Sequence, residues 1–178
     1  MTSLIQRLLG AKDPTRARAE RLAETVMAAA RRPGFYTAGL AEDTVEGRFA
    51  MVALHGALVI RHLRRLDDEA FHLAEKMGER LFDRFDYALR EEGVGDHSIA
   101  RRMRKLGEEF YGLARALDAA LDDELDGALE AVLSRNGLGG AAPGQLAGYV
   151  RDADTGLAAA GGPVLMEGEI DWPPPPGA

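Results

Sequence analysis

The stretch from Phe49 to Leu63 constrains the fold of this chain more than any other. On a helical wheel of 100° per residue, Phe49, Val52, Ala53, Gly56, Ile60 and Leu63 share one face, while Met51, Leu54 and Leu58 lie on another. A helix that is apolar nearly all round in a soluble chain has to be the central element, with neighbours on every side. The run from Phe49 to Ile60 includes His55 and falls far short of the roughly 20 residues needed to span a bilayer. Its burial is therefore expected inside the protein. Arg61, Arg64 and Arg65 mark its return to the surface and suit the negative end of the helix dipole. Upstream, Asp43 and Glu46 have the spacing of a capping box, with Thr44 as an alternative cap.

The remaining periodicity is helical too, and no segment reads as a strand. From Thr15 to Arg31 the apolar residues Ala19, Leu22, Ala23, Val26, Met27 and Ala30 recur at helical spacing, and Pro33-Gly34 ends the run. Residues 35–42 read as a loop carrying Phe35 and Tyr36. Asp67-Asp68 open a helix reaching Glu91 or Glu92, with Phe71, Ala74, Met77, Leu81, Phe82 and Phe85 as its stripe. Gly93 and Gly95 break it, Gly93 in a left-handed cap. Asp96 or Ser98 is expected to cap the next helix, whose core face is Ile99, Met103, Leu106, Phe110, Leu113 and Leu117. A short helix over 123–135 stops at Asn136-Gly137. Residues 138–144 read as a flexible linker and 145–160 as a weak helix. The acidic end, with Trp172 beside four prolines, reads either as a mobile extended tail or as a segment that docks in a partner's groove. The expected fold is all-α, an irregular bundle of five to six helices with a flexible C-terminal tail. Its expected parts are a basic amphipathic region (1–33), a helical core (34–137) and an acidic glycine- and proline-rich extension (138–178).

Composition narrows the chemistry. The chain has no cysteine, which excludes disulfides, thiolate catalysis and cysteine metal sites. Residues 1–33 hold seven Lys/Arg against three Asp/Glu, and residues 122–178 hold two against ten, within a net charge of −7. Such a front end can approach an anionic surface that the rear repels. No secretory signal is visible, so a cytoplasmic location is expected, with at most a peripheral contact to the inner membrane. His55 and His62 fall on one side of the central helix but about 10 Å apart along its axis, too far to share one ion, and no metal or cofactor is expected. Ser3, Ser98 and Ser134 lie near termini or helix ends. Asp96, His97 and Ser98 match a catalytic triad in composition only, because neighbours at a helix start cannot adopt its geometry. Arg101, Arg102, Arg104 and Lys105 spread over half a helix, opposite the Ile99–Met103–Leu106 seam. They are either a solvated face or a binding patch, and cations at a helix N-terminus run against the dipole.

Several short motifs occur in a fixed order. They are Gly34-Phe35-Tyr36, Asp43-Thr44-x-x-Gly47-Arg48-Phe49, Leu54-His55, Leu63-Arg64, Phe82-x-x-x-Asp86-x-x-Leu89-Arg90, Gly93-Val94-Gly95-Asp96, Phe110-Tyr111-Gly112 and Arg135-Asn136. In this succession the chain resembles the ubiquinol–cytochrome c chaperone family over roughly Arg32 to Gly137. The resemblance implies a non-enzymatic helical chaperone that holds newly made cytochrome b and helps assemble the quinol-oxidising complex. It marks Asp43, Arg48, Phe49, His55, Asp86, Gly93, Gly95, Asp96 and Phe110 as motif positions. Arg48 and Asp86 are candidates for an ion pair that sets helix register. The contact set expected for a client is Tyr36, Arg101, Arg102, Lys105 and Tyr111, aromatic anchors rimmed by charge. Expected partners are cytochrome b, a membrane surface, and either a second copy of the chain or a small helical protein. Two rivals stay open. One is a small enzyme using His55 with Asp86 or Asp96 as acid and base. The other is an RNA- or ribosome-binding module using the basic N-terminal helix, which the net acidity of the chain disfavours.

Overall fold

The computed structural model describes residues 14–177 apart from Glu92, Val94 and Glu124, and for Asp96 and His97 it describes the backbone alone. Its helices are α1 (Pro14–Ala30), α2 (Pro33–Thr37), α3 (Val45–Leu63), α4 (Asp68–Glu91), α5 (Asp96–Asp122), α6 (Ala128–Arg135), α7 (Pro143–Ala160) and α8 (Gly162–Glu167). The described residues contain no strand, and none of their helices is long and apolar enough to cross a membrane. The architecture is an all-α bundle.

The apolar helix is central, as its pattern requires. Thirteen of the nineteen residues of α3 are buried, and α1, α4, α5 and α7 pack around it. Close packing depends on Gly56. A Cβ there would lie 3.2 Å from both Leu81 of α4 and Phe110 of α5. The start of α3 explains a whole motif. Thr44, not Asp43, is the cap, its hydroxyl accepting the Gly47 N–H at 3.1 Å. Gly47 is required because a Cβ would run into the Glu42 carbonyl oxygen as the chain folds back. Asp43 is left free to take Arg48 at 2.6 Å, and Phe49 packs edge-on against Phe85 at 4.9 Å.

Several expectations change. Two short helices, α2 and α8, were not foreseen. Each carries a proline in its first turn, where the missing N–H has no intrahelical partner to lose. The N-cap position of α5 is Gly95, one residue before Asp96 and three before Ser98. Gly93 has φ +77°, the expected left-handed break after α4. Helix α6 starts only at Ala128, after Gly127 at φ +82°.

The largest correction concerns the residues after Gly137. Leu138 is buried, and the Gly139 N–H donates to the Leu40 carbonyl at 2.7 Å, so the glycine linker is pinned to the body. Helix α7 buries Leu146, Ala147, Tyr149, Val150, Ala153 and Leu157. Trp172 is only 5% exposed, inside the main core. Arg32 donates to the carbonyls of Trp172 and Pro173, at 3.3 and 2.8 Å, and Thr25 donates to that of Gly168. The tail is a strap packed across the bundle. Burying an indole removes more apolar surface from water than any other side chain here could, which offsets the entropy lost in ordering a proline-rich end.

Candidate functional site

His55 sits at the middle of α3 with no exposed surface. Its Nδ1–H donates to the Met51 carbonyl at 2.8 Å, which leaves Nε2 to accept from the Tyr149 hydroxyl at 2.7 Å. Phe35, Tyr149 and Trp172 surround the ring, with centroids 5.6, 5.6 and 4.8 Å away. Burial lowers its pKa from 6.5 to about 4, a shift that the Met51 hydrogen bond opposes and the Arg32 charge reinforces. Burial likewise raises the Tyr149 phenol above its ordinary value. This is a satisfied neutral core histidine. Both ring nitrogens are occupied, no carboxylate is among its described partners, and the site does not open to solvent. Asp86, its supposed acid–base companion, pairs instead with Arg90 at 2.7 Å on the surface of α4. The arrangement does not fit the acid–base reading. The Asp96 side chain lies outside what the structure describes. Among the described residues no group of His, Asp and Glu is placed to hold a metal ion.

The surface offers a different feature. A groove of about 860 Å³ runs between the C-terminal half of α3 and the middle of α5. Its floor is Ala57, Ile60, Gly107 and Ala114. Arg64, Arg65 and Arg115 stand on its rim with Glu108 and Asp118, and Tyr111 projects beside it. Tyr111 is 54% exposed. It is held by rings beneath: its face stacks on Phe82 at 6.3 Å, and Phe82 meets Phe110 at 5.4 Å and Phe85 at 5.9 Å. That chain of aromatic contacts runs from buried Phe49 to solvent at Tyr111. Small residues on the floor let another backbone approach closely, and a strip of apolar surface between charged edges suits a helix with one apolar stripe.

Below the groove, Arg61 is 8% exposed and joins three helices. Its guanidinium donates to Asp118, to Asp122 at 2.6 Å and to Asp154 at 3.1 Å, while His62 reaches Asp154 at 2.8 Å. Burial works against its charge, but its hydrogen bonds to Asp122 and Asp118 and the charge of Asp154 outweigh it and hold Arg61 above the ordinary arginine value.

The expected contact residues fall into separate places. Arg101, Arg102 and Lys105 are exposed along the first half of α5, and Tyr111 follows on the same helix. Tyr36 is half-buried in α2, its hydroxyl donating to the Ala30 carbonyl at 2.8 Å, with burial pushing its phenol above the ordinary value. No described ring contact joins Tyr36 to Tyr111. Phe110 is fully buried. The Arg48–Asp86 pair does not form, since Asp43 and Arg90 are nearer partners within the same helical segments. The Asp43 carboxyl is held below its usual value by the Arg48 hydrogen bond. Part of the basic front end is taken up within the molecule, with Arg18 and Arg21 bound to Glu167, Arg18 also to Glu69, and Arg32 to the strap carbonyls. Residues 1–13 lie outside the described residues. Sequence reasoning missed Tyr149 and the groove floor, and it placed Trp172 in a tail and Arg61 at the surface where the structure buries both. Only the floor left a trace, Gly107 and Ala114 seven residues apart beside Tyr111.

Comparison with known proteins agrees with this architecture. The sequence matches the model of the family described as "Ubiquinol-cytochrome C chaperone" over residues 40–172, so the match takes in the strap as far as Trp172. The crystal structure of the Cbp3 homolog from Brucella abortus is similar at a TM-score of 0.82 and 31% identity, covering 96% of this chain and 97% of that one. A search of curated proteins finds no match.

Proposed function

Because the chain belongs to the ubiquinol–cytochrome c chaperone family, we propose that it holds newly made cytochrome b and promotes its incorporation into ubiquinol–cytochrome c reductase without catalysing a reaction. The observation that carries this reading is the groove between α3 and α5. It combines an apolar small-residue floor with an exposed aromatic anchored in the core, as shielding an apolar client helix requires. Tyr111 is the anchor of the proposed contact set, with Arg101, Arg102 and Lys105 continuing from it along α5. Tyr36 is a secondary candidate, since its hydroxyl is already engaged. A second copy of the chain or a small helical protein would compete for the same groove.

The test is capture of cytochrome b, identified by mass and by its haem spectrum, from membranes solubilised in mild detergent. Wild type is compared with a Tyr111→Ala/Ala114→Arg double variant, which removes the anchor and fills the groove. Recovery by wild type and at least about tenfold less by the variant supports both the client and the groove. Equal recovery by both keeps the client and rejects the groove. Recovery by neither overturns the client assignment.

A further inference from the structure

The groove is one end of a longer charged surface. Arg101, Arg102, Arg104 and Arg115 are exposed on α5 and make no ion pair or side-chain hydrogen bond among the described residues. Arg64, beside Arg115 at the groove, is also exposed and lies over the Phe71 ring at 5.2 Å, with no carboxylate partner. Lys105 has only a loose contact with Glu109, at 3.3 Å. Glu108 interrupts the row between Lys105 and the groove. Elsewhere the arginines are mostly paired: Arg18, Arg21, Arg48, Arg61, Arg65, Arg80, Arg84, Arg90 and Arg151 each have a carboxylate. In a chain with net charge −7, the largest group of described cations without a carboxylate thus lies on one face, while Arg16, Arg31 and Arg135 stand elsewhere. Arg101, Arg102 and Arg104 stand in the second and third turns of α5, where their mutual repulsion opposes them.

We infer that this face of α5 docks on anionic lipid headgroups, turning the Tyr111 groove toward the bilayer. From Arg101 to Arg115 the row is about 21 Å long, and Arg101, Arg102, Arg104 and Lys105 spread over nearly half the helix circumference, a shape that meets a charged plane. The acidic cluster at Asp118, Asp122 and Asp123 begins about 25 Å from Arg101 along the helix. That is about three Debye lengths at physiological salt, so it does not cancel the attraction at the basic end. A flexible nucleic acid that followed this row further would meet the repelling acidic regions, and single-strand binding relies on several exposed aromatic platforms. This face has one, Tyr111. Tyrosine and arginine are also the side chains that settle at the headgroup level of a membrane. The inference extends the chaperone reading, because a membrane client would then meet the groove where it leaves the bilayer.

Flotation of the purified full chain with vesicles tests it, and no client is present, so either reading can fail alone. Vesicles of phosphatidylcholine are compared with vesicles that also contain phosphatidylglycerol, at low and high salt. The expected result is binding to the anionic vesicles only, lost at high salt. Arg101→Glu/Arg104→Glu should weaken it by at least about tenfold, while Arg135→Glu, an exposed cation off this face, leaves it unchanged. Circular dichroism melts confirm that each variant is folded. No binding by folded wild type overturns the inference, as does an equal loss with Arg135→Glu. Binding of polyuridylate in place of vesicles, with the same dependence on Arg101 and Arg104, replaces it with an RNA surface.

Discussion

Neutral His55 holds two polar contacts inside a ring of aromatic side chains, and protonation would place an unpaired charge there. Folding lowers its pKa from 6.5 to about 4, so the unfolded chain takes up the proton first as pH falls. The stability this group contributes is complete above about pH 6.5, declines as pH falls toward 4, and is gone below that. Over that window the loss is about 3 kcal/mol. Urea unfolding from neutral pH down to about 4 should show a shallower decline in His55→Gln than in wild type, and parallel curves would assign the acid sensitivity to other groups. The neighbourhood that does this was not legible beforehand. His55 could be named from its place in an apolar helix, but Tyr149 lies 94 residues away and Trp172 farther, and no local pattern announces such partners. The motif around Gly47 was the opposite case. Its residue types were visible, yet their roles were exchanged, because Thr44 caps the helix and Asp43 turns to Arg48.

Helix α3 was readable as the central element because a helix with apolar residues on nearly every side has only one stable place in a folded chain. The stripes of α4 and α5 likewise predicted most of the faces they bury, but Phe71, expected in the α4 stripe, is exposed while Ala70 and Leu73 beside it are buried. What the periodicity did not show is how α3 is fastened. Arg61 ties it to α5 through Asp118 and Asp122 and to α7 through Asp154. In sequence Arg61 looked like a surface residue at a helix end. Replacing it by Ala should lower stability by roughly 2–3 kcal/mol, less than for a fully buried pair, because Asp118 and Asp122 are half exposed and can rehydrate. Arg61→Lys should fall between, since an ammonium cannot serve three carboxylates in a fixed fork. Thermal unfolding of both variants measures this, and unchanged midpoints would remove the network as a fastening of the bundle. The groove between α3 and α5 was harder to foresee for a different reason. Gly107 and Ala114 contribute by being small, and absent volume leaves little mark in a hydrophobic pattern.

Across the whole molecule, the strap from Gly168 to Pro176 completes the core that α3 begins. Trp172→Ala should destabilise by about 3–5 kcal/mol, the range for truncating a large buried aromatic, while Pro175→Ala should do little. Denaturant unfolding distinguishes the two, and a Trp172→Ala protein as stable as wild type would return the strap to the status of a tail. The same change should leave vesicle flotation intact in any folded fraction, since the basic face lies on α5. The all-α class, the central helix, most helix faces and the family resemblance follow from the sequence alone, because periodicity and motif order are local and survive without knowledge of neighbours. The burial of His55 against Tyr149 and Trp172, the Arg61 fastening, the groove floor and the gathering of free arginines on α5 were decided only by tertiary structure. Each depends on which distant side chains come within reach, and which cations find no carboxylate, once the helices have packed.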